Sequence, residues 1–197
     1  MTILAISTSS PALSIALIGG GGAVIARRHE VIGRGHAEAL VPAIAALLDG
    51  RRPEDIPTSI IVDIGPGSYT GIRIGIAAAR ALGLAWGVPV HGVCALSLVA
   101  AQAFAADPSL MRVLALIDAG RGHASGAVVA RDLAAPVPEM ITRLPDDAAV
   151  AGAGADLLPG ARLPGSLARH FDHPDAAFAG ALPLAALGRP TALYAGD

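Results

Sequence analysis

The stretch Gly65-Pro66-Gly67-Ser68-Tyr69-Thr70-Gly71-Ile72-Arg73-Ile74-Gly75 limits the folds open to this chain more than any other. It follows the apolar run 59–64 and opens a second apolar segment that ends near Trp86. A buried strand, a glycine turn and a helix start therefore succeed one another with no spacer, which points to layered α/β structure. Glycine permits positive φ and close backbone approach, and Ser68 and Thr70 are good helix caps. Such a turn can offer free N–H groups and the positive end of a helix to an anion. Gly65, Gly67, Ser68, Thr70 and Gly71 thus form a candidate phosphate-binding loop, with a plain strand-to-helix connection as the alternative.

Chemistry is narrowed by what the composition lacks. All fourteen basic residues are arginines, so no P-loop, Schiff-base or general-base lysine exists. The single cysteine, Cys94, excludes an internal disulfide and a multi-cysteine zinc site. His91 and Cys94 make a His-x-x-Cys pair, but zinc needs about four ligands, so a buried cysteine beside a strand-end histidine is expected and no metal. A net charge of −2 argues against stand-alone nucleic-acid binding. Mean hydropathy is +0.59, yet Arg80 and Gln102 interrupt the longest apolar runs and the N-terminus lacks a basic n-region. A cytoplasmic chain with no membrane association is expected.

Along the chain, the pattern predicts a buried strand followed by a polar turn over 3–10 and strands at 13–18 and 23–28, the last two joined through four glycines. A helix over 36–48 carries Leu40, Ile44, Leu47 and Leu48 on one stripe, with Pro42 tolerated if it lies in the first turn. A strand at 59–64, a helix at 70–86 and a short strand at 89–93 complete an N-terminal lobe, residues 1–106. A smaller, less regular lobe, 107–197, is expected to hold strands at 112–117 and 126–130 and a helix at 176–187 interrupted by Pro183. His170 and His173 read as surface loop, and Trp86 as core.

In the 70–86 helix, Gly71, Gly75, Ala79 and Gly83 recur every fourth residue and form a small-residue stripe flanked by Ile72 and Ile76. Each glycine costs about 1 kcal/mol of helix propensity relative to alanine, a cost that close packing would offset. Ile74, Ala78, Ala81 and Leu82 lie on another side, and Arg73 and Arg80 are the only charges. A helix this apolar is buried on more than one side, one by the sheet and the other by the 36–48 helix or by a second protein. The candidate partner interface is His36, Leu40, Ile44, Leu47, Gly71, Ile72, Arg73, Gly75, Ile76, Ala79, Arg80 and Gly83, with His36 facing partner or solvent. A bulky residue at Gly75 or Ala79 is expected to separate the complex and leave the monomer folded.

The segments Ile3-Leu4-Ala5-Ile6-Ser7-Thr8-Ser9, His36-Ala37-Glu38-Ala39-Leu40-Val41-Pro42, Gly65 to Gly75 and Pro89-Val90-His91-Gly92-Val93 together are similar to the TsaB (YeaZ) family. Ala115-Leu116-Ile117-Asp118-Ala119 adds weaker support, and the second half is similar only in patches. The resemblance implies a ribonuclease H-like mixed α/β fold of the actin/sugar-kinase (ASKHA) type. It implies a non-catalytic subunit of the machinery that forms threonylcarbamoyladenosine in tRNA, paired as a heterodimer with a TsaD-type transferase through a four-helix interface. A P-loop ATPase of the same machinery, ATP or ADP at the complex interface, tRNA reached only through the complex, and a homodimer when alone are further implications; no cofactor is expected on this chain by itself.

Departures from the family pattern bear on chemistry. Ser7 stands where an aspartate is usual, which weakens intrinsic ATP chemistry. Gly120 stands where an arginine is usual, with Arg121 one place late, and no arginine follows Tyr194. Ala95 and Val99 occupy the positions of the TsaD metal-binding His-x-x-x-His pair, so no metal-dependent transferase site is expected. The alternative reading is an enzyme, a glycoprotease-type peptidase or a small ATP-using kinase. Against it stand the lack of a lysine and of a histidine–carboxylate pair near Ser68 or Thr70; nor does the sequence unite His36, Glu38 and Asp63.

Overall fold

In the computed structural model, which describes residues 1–52, 55–120, 122–143, 149–158 and 171–194, the chain opens with an antiparallel meander. Its strands are β1 (Ile3–Ser7), β2 (Ala12–Ile18) and β3 (Val24–Val31). Two crossovers follow, through α1 (His36–Leu48) to β4 (Ser59–Asp63) and through α2 (Tyr69–Trp86) to β5 (Val90–Val93). β4 runs parallel to β1, and β5 parallel to β4. An antiparallel trio followed by two parallel strands, each reached through a helix, is the ribonuclease H-like order expected above. Pro42 sits in the second turn of α1, not the first, on the exposed face of the helix.

Strand alternation explains why both faces of this sheet are covered. Leu4 and Ile6 point into a cluster with Leu40, Ile44, Ile72 and Ile76 beneath α1 and α2. Ala5 points the other way, with Ala16, Ile18 and Ile61. Strands buried on both sides read as continuous apolar runs, as these do.

α3 (Ala95–Ala106) is not predicted by the sequence reading, and the reason is physical. Ten consecutive residues, Ala95 to Phe104, are buried, so the helix has no polar face and no stripe by which to recognise it. It packs on a second sheet of β6 (Arg112–Asp118), β7 (Ala124–Ala130), β8 (Glu139–Ile141) and β9 (Ala149–Ala151), ordered β8-β7-β6-β9. Val113, Ala115 and Ile117 face α3. Leu114 and Leu116 face the 3-10 turn Ala153–Leu157.

The predicted 176–187 helix is replaced by two 3-10 turns, Ala176–Ala181 and Leu184–Ala186. Pro183, lacking an N–H, separates them. The strand β10 (Leu187–Gly188) then pairs antiparallel with β5, completing a six-stranded sheet of order β10-β5-β4-β1-β2-β3. The C-terminal segment thus returns to the first sheet, where a buried Asp175 anchors it. That carboxylate pairs with Arg27, accepts from Ser14 Oγ at 3.2 Å and caps the Ala177 amide at 3.0 Å. His170, Arg121 and residues 195–197 lie outside the described residues.

Candidate functional site

The glycine string joins the end of β4 to the start of α2, as its spacing predicts. Ser68 is the N-cap, its Oγ accepting from the Gly71 amide at 3.2 Å. Behind the loop, Asp63 is fully buried. One carboxylate oxygen accepts from the hydroxyls of Ser7, at 2.7 Å, and Ser9; the other accepts from the Gly65 amide at 2.7 Å. Burial pushes the carboxyl above its ordinary range, opposed by these hydrogen bonds. Ser7 thus donates across the sheet to a carboxylate on the neighbouring strand. Three of the loop's amides are spoken for, since Gly65 serves Asp63, Ser68 N donates to Ser9 O and Gly71 serves Ser68.

Asp63→Ala strands two hydroxyls and an amide, and is expected to cost about 3 kcal/mol by denaturant unfolding. Asp63→Asn keeps the shape and removes the titration. Because the folded carboxyl is raised, its contribution is full below its ordinary value near about 4 and is lost as pH rises through the folded value. The Asn variant is therefore expected to lose less stability than wild type between acid and neutral pH. A parallel pH dependence in the two proteins would assign the titration elsewhere.

The small-residue stripe of α2 proves to be the helix's contact with its own sheet. A Cβ on Gly71 would overlap the Thr8 carbonyl oxygen, one on Gly75 would lie 2.5 Å from Thr8 Oγ1, and one on Gly83 would overlap Val90. Thr8 Oγ1 donates to Gly71 O at 2.8 Å, tying helix to strand. Leu40, Ile44, Leu47, Ile72, Ile76 and Ala79 are buried in the same layer. These predicted interface residues are brought together, but by the chain's own core. His36 is also buried, not facing solvent, and its Nε2 has no partner among the described residues.

The predicted arginines lie to one flank. Arg73 stacks 3.7 Å above the Tyr69 ring and donates to Tyr194 OH at 3.2 Å, while Arg80 donates to Pro190 O at 2.7 Å. Both charges are drawn toward the C-terminal segment. The outer face of the helix pair is left with Ala37, Val41 and Ala45 on α1 and Ala77, Ala81, Leu84 and Ala85 on α2, all exposed, and with Ile74, Ala78 and Leu82 half-buried. Its one acidic side chain at the α1 start is Glu38. Sequence periodicity identified Ile74, Ala78, Ala81 and Leu82 as a second side; what it could not supply was which side meets the sheet.

A cleft of about 700 Å³ runs between the glycine loop and the second sheet, lined by Ser9, Gly67, Ser68, Asp118 and His123 among others. Asp118 there caps the Gly120 amide at 2.7 Å. Among the described residues no three His, Cys, Asp or Glu side chains group as a metal site, and no helix is long and apolar enough to cross a membrane. Ala95 and Val99, on α3, are wholly buried and carry no ligand atom. Burial pushes the Cys94 thiol up to about 12, so it is expected to resist alkylation at pH 8 and react only in denaturant; rapid labelling of native protein would place it at the surface.

Sheet order and loop define an α/β chain of the ribonuclease H-like class. The sequence model described as TsaD, tRNA N6-adenosine threonylcarbamoyltransferase, matches residues 24–142, more than half of the chain. TsaB of Escherichia coli, a tRNA threonylcarbamoyladenosine biosynthesis protein, is 37% identical over 134 residues, covering 67% of this chain and 56% of that protein. TsaB of Bacillus subtilis is 39% identical over 104 residues, 52% of this chain and 44% of that protein. The solved structure of YeaZ from Pseudomonas aeruginosa superposes with a TM-score of 0.73 at 29% identity, over 90% of this chain and 87% of that one. The chain belongs to the TsaB (YeaZ) family, and it spans about half the length of the curated relatives it matches.

Proposed function

We propose that this chain is a non-catalytic subunit of the machinery that forms threonylcarbamoyladenosine in tRNA, and that it docks a TsaD-type transferase through the outer face of α1 and α2. The observation that carries this reading is the helix-pair face itself. It is apolar and small-featured, and its two nearest cations are engaged elsewhere. Small residues on adjacent helices admit a second helix pair at close range, by ridge-into-groove packing. Depletion of charge at the centre of a patch is what distinguishes an interface core from ordinary surface. The family supports the pathway, and the alanine and valine at the metal-pair positions support a binding role over a catalytic one.

The same face is self-complementary enough to pair two copies about a two-fold axis when the transferase is absent. Nucleotide, the P-loop ATPase and tRNA then belong to the assembled complex, not to this chain alone. Mixing the chain with the TsaD-type protein of the same source and weighing the product by light scattering tests the reading. A one-to-one heterodimer is expected to form at the expense of any homodimer. Two folded proteins that stay apart, with nucleotide present, would overturn it.

A further inference from the structure

β3 is the outer strand of the six-stranded sheet, and among the described residues no strand pairs with its free edge. Hydrogen-bond alternation fixes which groups that edge presents. Ile32 N donates to Pro11 O, and Val31 stands opposite Ala12, so Glu30, Arg28 and Ala26 turn their main-chain groups toward β2. Arg27, His29 and Val31 therefore turn theirs outward, and none of these three amides donates to a loop or a side chain among the described residues.

Natural edge strands are shielded by shortness, by proline or by a bulge. β3 has eight residues and no proline, and its one register shift lies at its start, opposite Leu17 and Ile18. At its other end Val31 is 64% exposed. What the edge does carry is charge of both signs. Arg28 and Glu30 stand opposite Ile15 and Leu13, hence on the α1 face of the sheet, where they are exposed and pair with each other at 2.9 Å.

We propose that this edge pairs with β3 of a second copy of the chain, antiparallel about a two-fold axis through His29. Outward groups at 27, 29 and 31 allow only registers in which these positions face one another, and charge chooses among them. With His29 opposite His29, Arg27 meets Val31, and Arg28 stands opposite Glu30 twice over. Ala26 then meets Ile32 at both ends of the same face. One register step either way sets Arg28 against Arg28 or Glu30 against Glu30, and like charges directly opposite are destabilising. The matched pairs fall at non-hydrogen-bonded positions, where side chains lie closest. Burial holds the His29 imidazole below its usual value, against the pull of Asp175, so the central pair adds no like charge at neutral pH. A single strand pair buries less than about 1,200 Å², the weak and transient class. The association therefore belongs to concentrated protein, and it uses no residue on the outer face of α1 and α2.

Sedimentation equilibrium of the full chain is the test, with every protein carrying Ala81→Glu so that pairing through the helix face does not contribute. The parent is expected to dimerise below about 1 mM. Arg28→Glu and Glu30→Arg each oppose like charges at both matched positions and should weaken dimerisation about tenfold. Both side chains are exposed, so thermal midpoints should barely move. Mixed one to one, the two variants oppose unlike charges at both positions again and should associate at least as tightly as the parent. Unchanged association in the single variants, or a mixture no tighter than its components, would overturn the proposal. So would a parent that stays monomeric at about 1 mM, which would leave the edge to a strand of another protein. Because no transferase is present, each result leaves the docking proposal untouched.

Discussion

Ala81→Glu is expected to abolish association with the TsaD-type transferase while leaving the chain folded. Ala81 is exposed on the outer face of α2, so the monomer loses no packing and its stability should move by no more than about 0.5 kcal/mol. In the proposed heterodimer the same carboxylate would be enclosed among apolar side chains with no cation to meet it. The nearest candidates, Arg73 and Arg80, are held at Tyr69, Tyr194 and Pro190 on the other flank. A charge desolvated without a partner costs roughly 2–5 kcal/mol at an interface, or some hundredfold or more in affinity. Val128→Glu, on an exposed position of the second sheet, is the matched control and should bind as wild type. Full affinity in a folded Ala81→Glu protein would move the docking surface off this helix pair.

Gly75→Leu is expected to damage the monomer itself, contrary to the expectation from sequence that it would only separate a complex. Two effects oppose each other. Replacing a helical glycine with a good helix former gains up to about 1 kcal/mol of propensity. Against this, the new Cβ would sit 2.5 Å from Thr8 Oγ1 and 3.5 Å from Val62, with three further carbons to place between α2 and the sheet. Neither neighbour can yield easily: Thr8 holds its hydrogen bond to Gly71 O and Val62 is fully buried. Overpacking of this kind costs about 3 kcal/mol, a large part of the stability of an ordinary domain. Steric overlap wins, and the urea midpoint should fall well below that of wild type, whereas Ala81→Leu should barely shift it. A wild-type midpoint for Gly75→Leu would show that α2 turns another side to the sheet.

The contrast between Gly75 and Ala81 shows where sequence reasoning stopped. Strands β1, β2, β4 and β5 and helices α1 and α2 were legible because each is a run of one periodicity bounded by glycine, proline or a cap. The Ser68 cap and the glycine turn before it were legible for the same local reason. α3 was not, because a helix buried all round shows no amphipathic signal. β8, β9 and β10 were missed because strands of two or three residues take their identity from the neighbour they pair with. The segment around Asp175 was missed because its anchor, the Arg27–Asp175 pair, joins residues far apart in the chain.

For the candidate sites the division is similar. Local chemistry determined that a strand, a tight glycine turn and a capped apolar helix follow one another, that α2 has one small-residue side and one aliphatic side, and that lysine, disulfide and multi-cysteine metal chemistry are absent. Only the tertiary structure decided which side of α2 lies on the sheet, through the contact of Gly71 and Gly75 with Thr8. It alone turned Asp63 into a buried acceptor for Ser7 and Ser9, and left β3 with an outer edge unpaired among the described residues. Helix and turn propensities act over a few residues and are written into neighbouring letters. The orientation of a helix on a sheet, the burial of a charge and the place of a strand at a sheet's edge depend on contacts between distant parts of the chain, which exist only once it has folded.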